Sequence, residues 1–180
     1  MTHSHNPEMS AEAALNLVKL FELYQIEVIL DGGWGVDALL GEQTRAHSDL
    51  DIVIAYKDVS RLRCVLEARG YMDVLRPDTR ECNFVMGDDQ GHLIDIHTYT
   101  LDRVNHPEQG LDYALESLNG MGSILGYPVR CIDLEDMVKF HTGYELDEKD
   151  YHDVKILCQR FGMELPAEYD KFEQRGKPAG

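Results

Sequence analysis

The sequence predicts a mixed α/β fold, a short sheet backed by helices, followed by an all-helical C-terminal third. Three observations carry this expectation. Short apolar runs of strand length lie at 27–31, 48–55 and 92–99, bounded by glycine or acidic residues. Amphipathic segments with apolar residues at helical spacing separate them. From Asp133 onward the periodicity is helical throughout. With 180 residues, 43% of them hydrophobic, the chain is long enough for one core plus a small helical appendage, and too apolar for wholesale disorder.

The elements follow in order. Residues 1–9, with His3 and His5, read as a flexible tail. Ser10–Gln25 is a helix with Ala14, Leu17, Val18, Phe21 and Tyr24 on its inward stripe and Ser10 as N-cap. Glu27–Asp31 is a short strand ended by Gly32 and Gly33, and a short helix from about Trp34 to Leu40 stops at Gly41. Ser48–Ala55 is a buried strand with acids planted in it. Asp58–Arg69 is an amphipathic helix stopped by Gly70. Tyr71–Leu75, Glu81–Met86 and His92–Tyr99 are strands, the last two joined by a hairpin turn at Gly87–Gly91. Leu111–Leu118 reads as a helix or an irregular excursion. Ile124–Ile132 reads as a hairpin or an edge strand, with Pro128 inside it. Helices follow over Asp133–His141 and Asp147–Phe161, with a short one after Pro166. The expected layout is a tail (1–9), an α/β core (10–132) and a helical region (133–180).

Composition narrows the partners. Lys and Arg number 17 against 33 Asp and Glu, a formal charge of -16. Such a surface repels nucleic acid and anionic membranes and favours a cationic ligand or a divalent metal, although an acidic surface also serves solubility alone. Cys64, Cys82, Cys131 and Cys158 have no metal-type spacing, so zinc has no support. The N-terminus lacks a secretory pattern and no stretch has transmembrane length, so a cytoplasmic protein with reduced cysteines is expected.

The chemistry centres on Asp49-Leu50-Asp51. In a strand, residues two apart point to the same side, with Cα atoms roughly 6.5–7 Å apart. Paired carboxylates there repel each other unless a cation lies between them, and an oxygen-only donor set suits Mg²⁺ or Mn²⁺. An isolated D-x-D is more often an exposed edge or turn; the apolar run Ile52–Ile54 argues against that here. Asp95 stands in the apolar strand Leu93-Ile94-Asp95-Ile96, where a carboxylate is costly without a partner. If the two strands are neighbours, three carboxylates converge, the usual clamp for in-line displacement at phosphorus. Asp95 is then a metal ligand or the general base, unless it merely pairs with a nearby cation. Gly32-Gly33 ahead of a helix allows backbone N–H groups to approach a phosphate. Arg45 and His47, just before the acids, are within reach of phosphate oxygens.

The run Leu30-Asp31-Gly32-Gly33-Trp34-Gly35-Val36-Asp37, then Gly41, Gln43, Arg45, His47 and Asp49-Leu50-Asp51-Ile52, resembles the nucleotidyltransferases of the DNA polymerase beta superfamily. The likeness is to its small antibiotic-modifying branch, the lincosamide and aminoglycoside 2″-nucleotidyltransferases. Leu93-Ile94-Asp95-Ile96-His97, Phe140-His141-Thr142-Gly143-Tyr144-Glu145-Leu146, and Asp150, His152, Asp153 and Lys155 resemble the small lincosamide enzymes in particular. The resemblance extends from about Ser10 to about Lys155.

It implies a polymerase-beta-like nucleotidyltransferase fold with a helical C-terminal part. It implies Asp49 and Asp51 as metal ligands, Asp95 as third acid, and Gly32, Gly33, Arg45 and His47 around the triphosphate. Lys139 and Tyr144 would lie near the nucleotide, with Tyr144 stacking on base or sugar. It also implies Mg²⁺ (or Mn²⁺), an NTP co-substrate expected to be ATP, transfer of AMP to a hydroxyl of a basic antibiotic, and a homodimer. A proline often follows the histidine after the third acid in this pattern; here Thr98 stands there. A lincosamide needs an apolar groove, for which Trp34, Tyr99 and Tyr113 are candidates. An aminoglycoside needs several acids, for which Glu81, Asp88, Asp89, Glu145 and Asp147 are candidates. A lincosamide is the expected acceptor. The alternatives are an aminoglycoside, a protein hydroxyl, or a catalytically silent regulatory module.

Overall fold

The computed structural model describes residues 8–175. Most of the N-terminal tail and the last residues of the helical region therefore lie outside the described residues. The first helix, α1 (Ala11–Leu23), starts where Ser10 accepts a hydrogen bond from the Ala13 N–H, the expected cap. Ala14, Leu17, Val18 and Phe21 are buried as the spacing requires, but Tyr24 is 43% exposed because it falls at the C-cap, where the helical phase ends.

The strands are β1 (Val28–Leu30), β2 (Asp49–Ala55), β3 (Met72–Val74), β4 (Asn83–Gly87), β5 (Leu93–Tyr99), β6 (Gly120–Ile124) and β7 (Tyr127–Cys131). They form one seven-stranded mixed sheet in the order β3-β4-β5-β2-β1-β7-β6. The pairs β2–β5 and β1–β7 are parallel and the others antiparallel.

Side-chain alternation sorts the sheet into two faces. Val28, Leu30, Leu50, Ile52, Ile54, Ile94 and Ile96 pack with α1 and with Leu62, Val65 and Leu66 of α3 (Val59–Glu67). Ile29 and Val53 face the other way and share a core with α4 (Leu134–Phe140) and α5 (Glu148–Phe161), through Met137, Val138, Val154 and Leu157. The last helix, α6 (Asp170–Arg175), adds Phe172, whose ring stacks on Tyr151 at 5.2 Å.

Between β1 and β2 runs α2 (Gly32–Leu40), closed by Gly41 in the left-handed conformation. It begins at Gly32, earlier than the expected Trp34, because Asp31 caps it and Gly32 tolerates φ of 53°. The ambiguous 124–132 segment is the second half of a hairpin: it supplies β7, and its partner β6 lies ahead of it, the two turning through Leu125 and Gly126, both at positive φ. β6 was hidden by its glycines. Gly122 lies so close to α2 that a Cβ there would stand 2.2 Å from the Ala38 carbonyl oxygen. Pro128 is tolerated because β1 meets β7 only at Cys131. The 111–118 stretch is irregular, with a short 3₁₀ turn over Leu115–Asn119. No described helix is long and apolar enough to cross a membrane.

Candidate active site

Parallel pairing of β2 with β5 sets Asp51 directly beside Asp95, and Asp49 beside Leu93. Asp49 shares the face of Asp51, so three carboxylates stand on one side of two adjacent strands. Their neighbours Leu50, Ile52, Ile94 and Ile96 are fully buried on the other face and fix the register. Asp51 bears the strain of this grouping. Burial raises its pKa well above the ordinary carboxylate value, Asp49, Asp95 and Asp31 push it further, and Arg45 opposes them.

Asp95 is raised by burial too, with His97 and Arg76 pulling it down. Arg76 Nη1 lies 3.0 Å from Asp95 Oδ2, so the anticipated pairing with a cation is present. It satisfies only one oxygen. Oδ1 is buried without a hydrogen-bond partner, and His97 Nε2 stands 3.6 Å from it. An unpartnered buried carboxylate oxygen beside two more carboxylates, with no nitrogen or sulfur among the three, fits a hard divalent cation. As they stand, no three His, Cys, Asp or Glu groups among the described residues are arranged to hold a metal ion.

Gly32 and Gly33 shape the floor. A Cβ on Gly32 would stand 2.3 Å from Asp51 Oδ2, so only glycine admits the carboxylate. A Cβ on Gly33 would stand 2.4 Å from His47 Nδ1 and 2.6 Å from Arg45 Nη2. Both side chains expected near phosphate are thus laid over the first turn of α2. His47 is buried, its Nε2 2.5 Å from Asp37 Oδ2 and its ring 4.6 Å from Trp34. Arg45 forks onto Asp153 of α5 through Nε at 2.7 Å and Nη2 at 2.5 Å.

The remaining candidates lie elsewhere. Lys139 is 75% exposed, with its ion pair to Asp136. The Tyr144 hydroxyl donates to Asp150 at 2.7 Å. Among the described residues neither bonds to the three acids. Trp34 is not available to line an acceptor groove: it is 2% exposed, locked in the core against His47. Asp88 is engaged with His92, and Asp147 caps α5.

Tyr113 does belong to the site. Its hydroxyl lies 3.1 Å from His97 Nδ1 and donates to Asp31 Oδ2 at 3.4 Å, and burial followed by the charge of Asp31 raises its pKa. Sequence reasoning gave no site role to Asp31, Asp37, Arg76, His97 or Asp153. Asp37 and Asp153 did carry a signal, since each is an acid on the buried side of a helix. Arg76 and His97 become partners only through the sheet.

The model of the aminoglycoside-2''-adenylyltransferase family matches residues 14–157, most of the chain. The chain belongs to this family. A relative from Staphylococcus haemolyticus described as a lincosamide resistance protein is 33% identical, with 84% of this chain and 96% of that protein covered. Among solved structures, the lincosamide antibiotic adenylyltransferase LnuA bound to lincomycin is similar with a TM-score of 0.72 and 27% identity, covering 84% of this chain and 98% of that one. ANT(2'')-Ia in complex with adenylyl-2''-tobramycin shares the fold with a TM-score of 0.68 at 19% identity, covering 93% and 98%. The protein is therefore an enzyme, a nucleotidyltransferase of an antibiotic-modifying family, and its mixed sheet is the nucleotidyltransferase sheet.

Proposed function

We propose that this member of the aminoglycoside-2''-adenylyltransferase family transfers AMP from ATP to a hydroxyl of a lincosamide and so inactivates it. The observation that supports this most directly is the register pair Asp51–Asp95, with Asp49 on the same face and Arg45 over Gly33 beside it. Asp49, Asp51 and Asp95 are the residues to hold Mg²⁺ (or Mn²⁺), which when bound neutralises nucleotide phosphates and lowers the pKa of the attacking hydroxyl.

The chain's own groups do the rest. Arg45 and the N-terminal turn of α2 bind the triphosphate and stabilise the charge that grows on pyrophosphate as it leaves. Asp95 Oδ1, which has no hydrogen-bond partner and His97 Nε2 3.6 Å away, would serve either as the third donor to the divalent cation or as the base that takes the acceptor's proton. The acceptor oxygen bonds to the α-phosphorus as the bond to pyrophosphate breaks, in line. The reading extends to a cytoplasmic homodimer.

The lincosamide rests on the Staphylococcus haemolyticus relative and on LnuA. An aminoglycoside is the second reading, favoured by the family description and by the charge of -16, which suits a polycation. Pyrophosphate release with each of the four NTPs and Mg²⁺, offering lincomycin, clindamycin, kanamycin and tobramycin separately, tests both. Release with the lincosamides alone is expected; release with kanamycin or tobramycin alone replaces the first reading by the second.

A further inference from the structure

Asp153 is 1% exposed, on the side of α5 that carries Val154 and Leu157 into the core. A carboxylate in such a place costs heavily unless its charge is matched. Its match is Arg45, 108 positions earlier in the chain and 22% exposed, held by a side-on fork of two short hydrogen bonds. The same loop is tied twice more. Thr44 donates its N–H and hydroxyl to Asp37 Oδ1, at 3.1 and 2.7 Å, and His152 Nε2 lies 3.2 Å from the Thr44 hydroxyl.

The fork fixes where the rest of the guanidinium points. Of its five N–H groups, Nε and one on Nη2 go to Asp153, and one on Nη1 goes to the Ala46 carbonyl at 3.1 Å. One N–H on each terminal nitrogen is left, and Nη2 rests on Gly33 in the first turn of α2. That edge suits two oxygens of a phosphate. Nearby Asp37, Asp49 and Asp51 are rival anions for the same cation. Without Asp153 the guanidinium would fold onto them and occupy the ground the nucleotide needs.

We propose that Asp153 is a positioning residue that holds Arg45 off the acidic cluster and aims it at the triphosphate of the bound nucleotide. The proposal rests on the reading of Arg45 as a phosphate-binding residue. It separates from a purely structural ion pair by phosphate selectivity. A loosened helix would weaken every nucleotide alike, whereas a misaimed Arg45 weakens a triphosphate and spares a monophosphate.

The test is the affinity of the full chain for ATP and for AMP, each with Mg²⁺, in wild type, D153N, R45K and the double variant. D153N is expected to lose about ten- to a hundredfold for ATP, the range for residues that orient a functional group, with AMP affinity nearly unchanged. In the R45K background D153N should add little further loss, because both act through one fork. Equal loss for ATP and AMP, or additive losses in the double variant, overturns the proposal while leaving Arg45 a phosphate-binding residue. Unchanged ATP affinity in R45K overturns the reading of Arg45 itself. If D153N does not fold, D153E serves: it keeps the charge but shifts the fork, and the same ATP-selective loss is expected, with equal affinity changes for ATP and AMP contradicting the proposal.

Discussion

Asp51 on β2 and Asp95 on β5 are register partners across a parallel ladder, so their Cα atoms lie about one strand spacing, about 4.8 Å, apart. Burial and the neighbouring Asp49, Asp95 and Asp31 hold the Asp51 pKa well above its ordinary 3.8. The folded protein therefore keeps a proton that the unfolded chain has released. Between 3.8 and the raised value, stability falls as pH rises, and above the raised value the cost is complete. With divalent metal removed by a chelator, Asp51→Asn is predicted to melt higher than wild type at neutral pH, with the gap closing as pH falls toward 3.8. Melting curves across pH check this, and a lower-melting variant at neutral pH contradicts it.

Catalysis should respond in the opposite direction. Asp49→Asn keeps the shape of the side chain and removes one charge from the donor set. Turnover is expected to fall by about a hundredfold or more, since residues behind metal ligands already cost about ten- to a hundredfold. Far-ultraviolet circular dichroism should stay unchanged. Near-normal turnover in this variant would show that Asp49 holds no essential cation.

Gly32 has two reasons to be glycine, its φ of 53° and the Asp51 carboxylate 2.3 Å from where a Cβ would stand. Gly32→Ala should displace Asp51, abolish turnover and lower the melting temperature. At Gly33 the φ is not left-handed and the obstacles are the ends of His47 and Arg45. Gly33→Ala should therefore fold and show its loss in the KM for ATP. Equal behaviour of the two variants would contradict this division.

The capping of α5 offers a test at a residue outside the three acids. Asp147 accepts from the N–H groups of Lys149 at 2.7 Å and Asp150 at 3.0 Å. The backbone hydrogen bond from Asp150, more than that from Lys149, holds its pKa below 3.8. Its stabilisation is present at neutral pH and lost as pH falls through the lowered pKa. Asp147→Ala is predicted to cost about 1 kcal/mol at neutral pH, measured by denaturant unfolding, and nearly nothing in strong acid.

Much of this was legible in the sequence because local pattern and burial agree there. The apolar run Ile52–Ile54 marked Asp49 and Asp51 as strand acids rather than turn acids, and Ser10 announced α1 correctly. The meeting of Asp51 with Asp95 stood only as a condition, since parallel adjacency of distant strands is a tertiary fact. β6 escaped because its glycines, required by the close passage of α2, dilute the strand signal. Trp34 was offered to an acceptor groove although large aromatics more often lie in a core; the wedging of α2 against the sheet decides for the core. Asp153 was named within the family likeness but given no role, because its partner Arg45 stands 108 positions earlier in the chain and only the fold brings the two together.

The most direct test of the account is the mass of lincomycin after incubation with the protein, ATP and Mg²⁺. The account predicts the drug plus one AMP, less water, with pyrophosphate released in equal amount and no adduct from Asp49→Asn. Unmodified lincomycin, under conditions where wild-type protein binds ATP, would contradict the proposed transfer; an adduct from Asp49→Asn at the wild-type rate would contradict the place assigned to the acids.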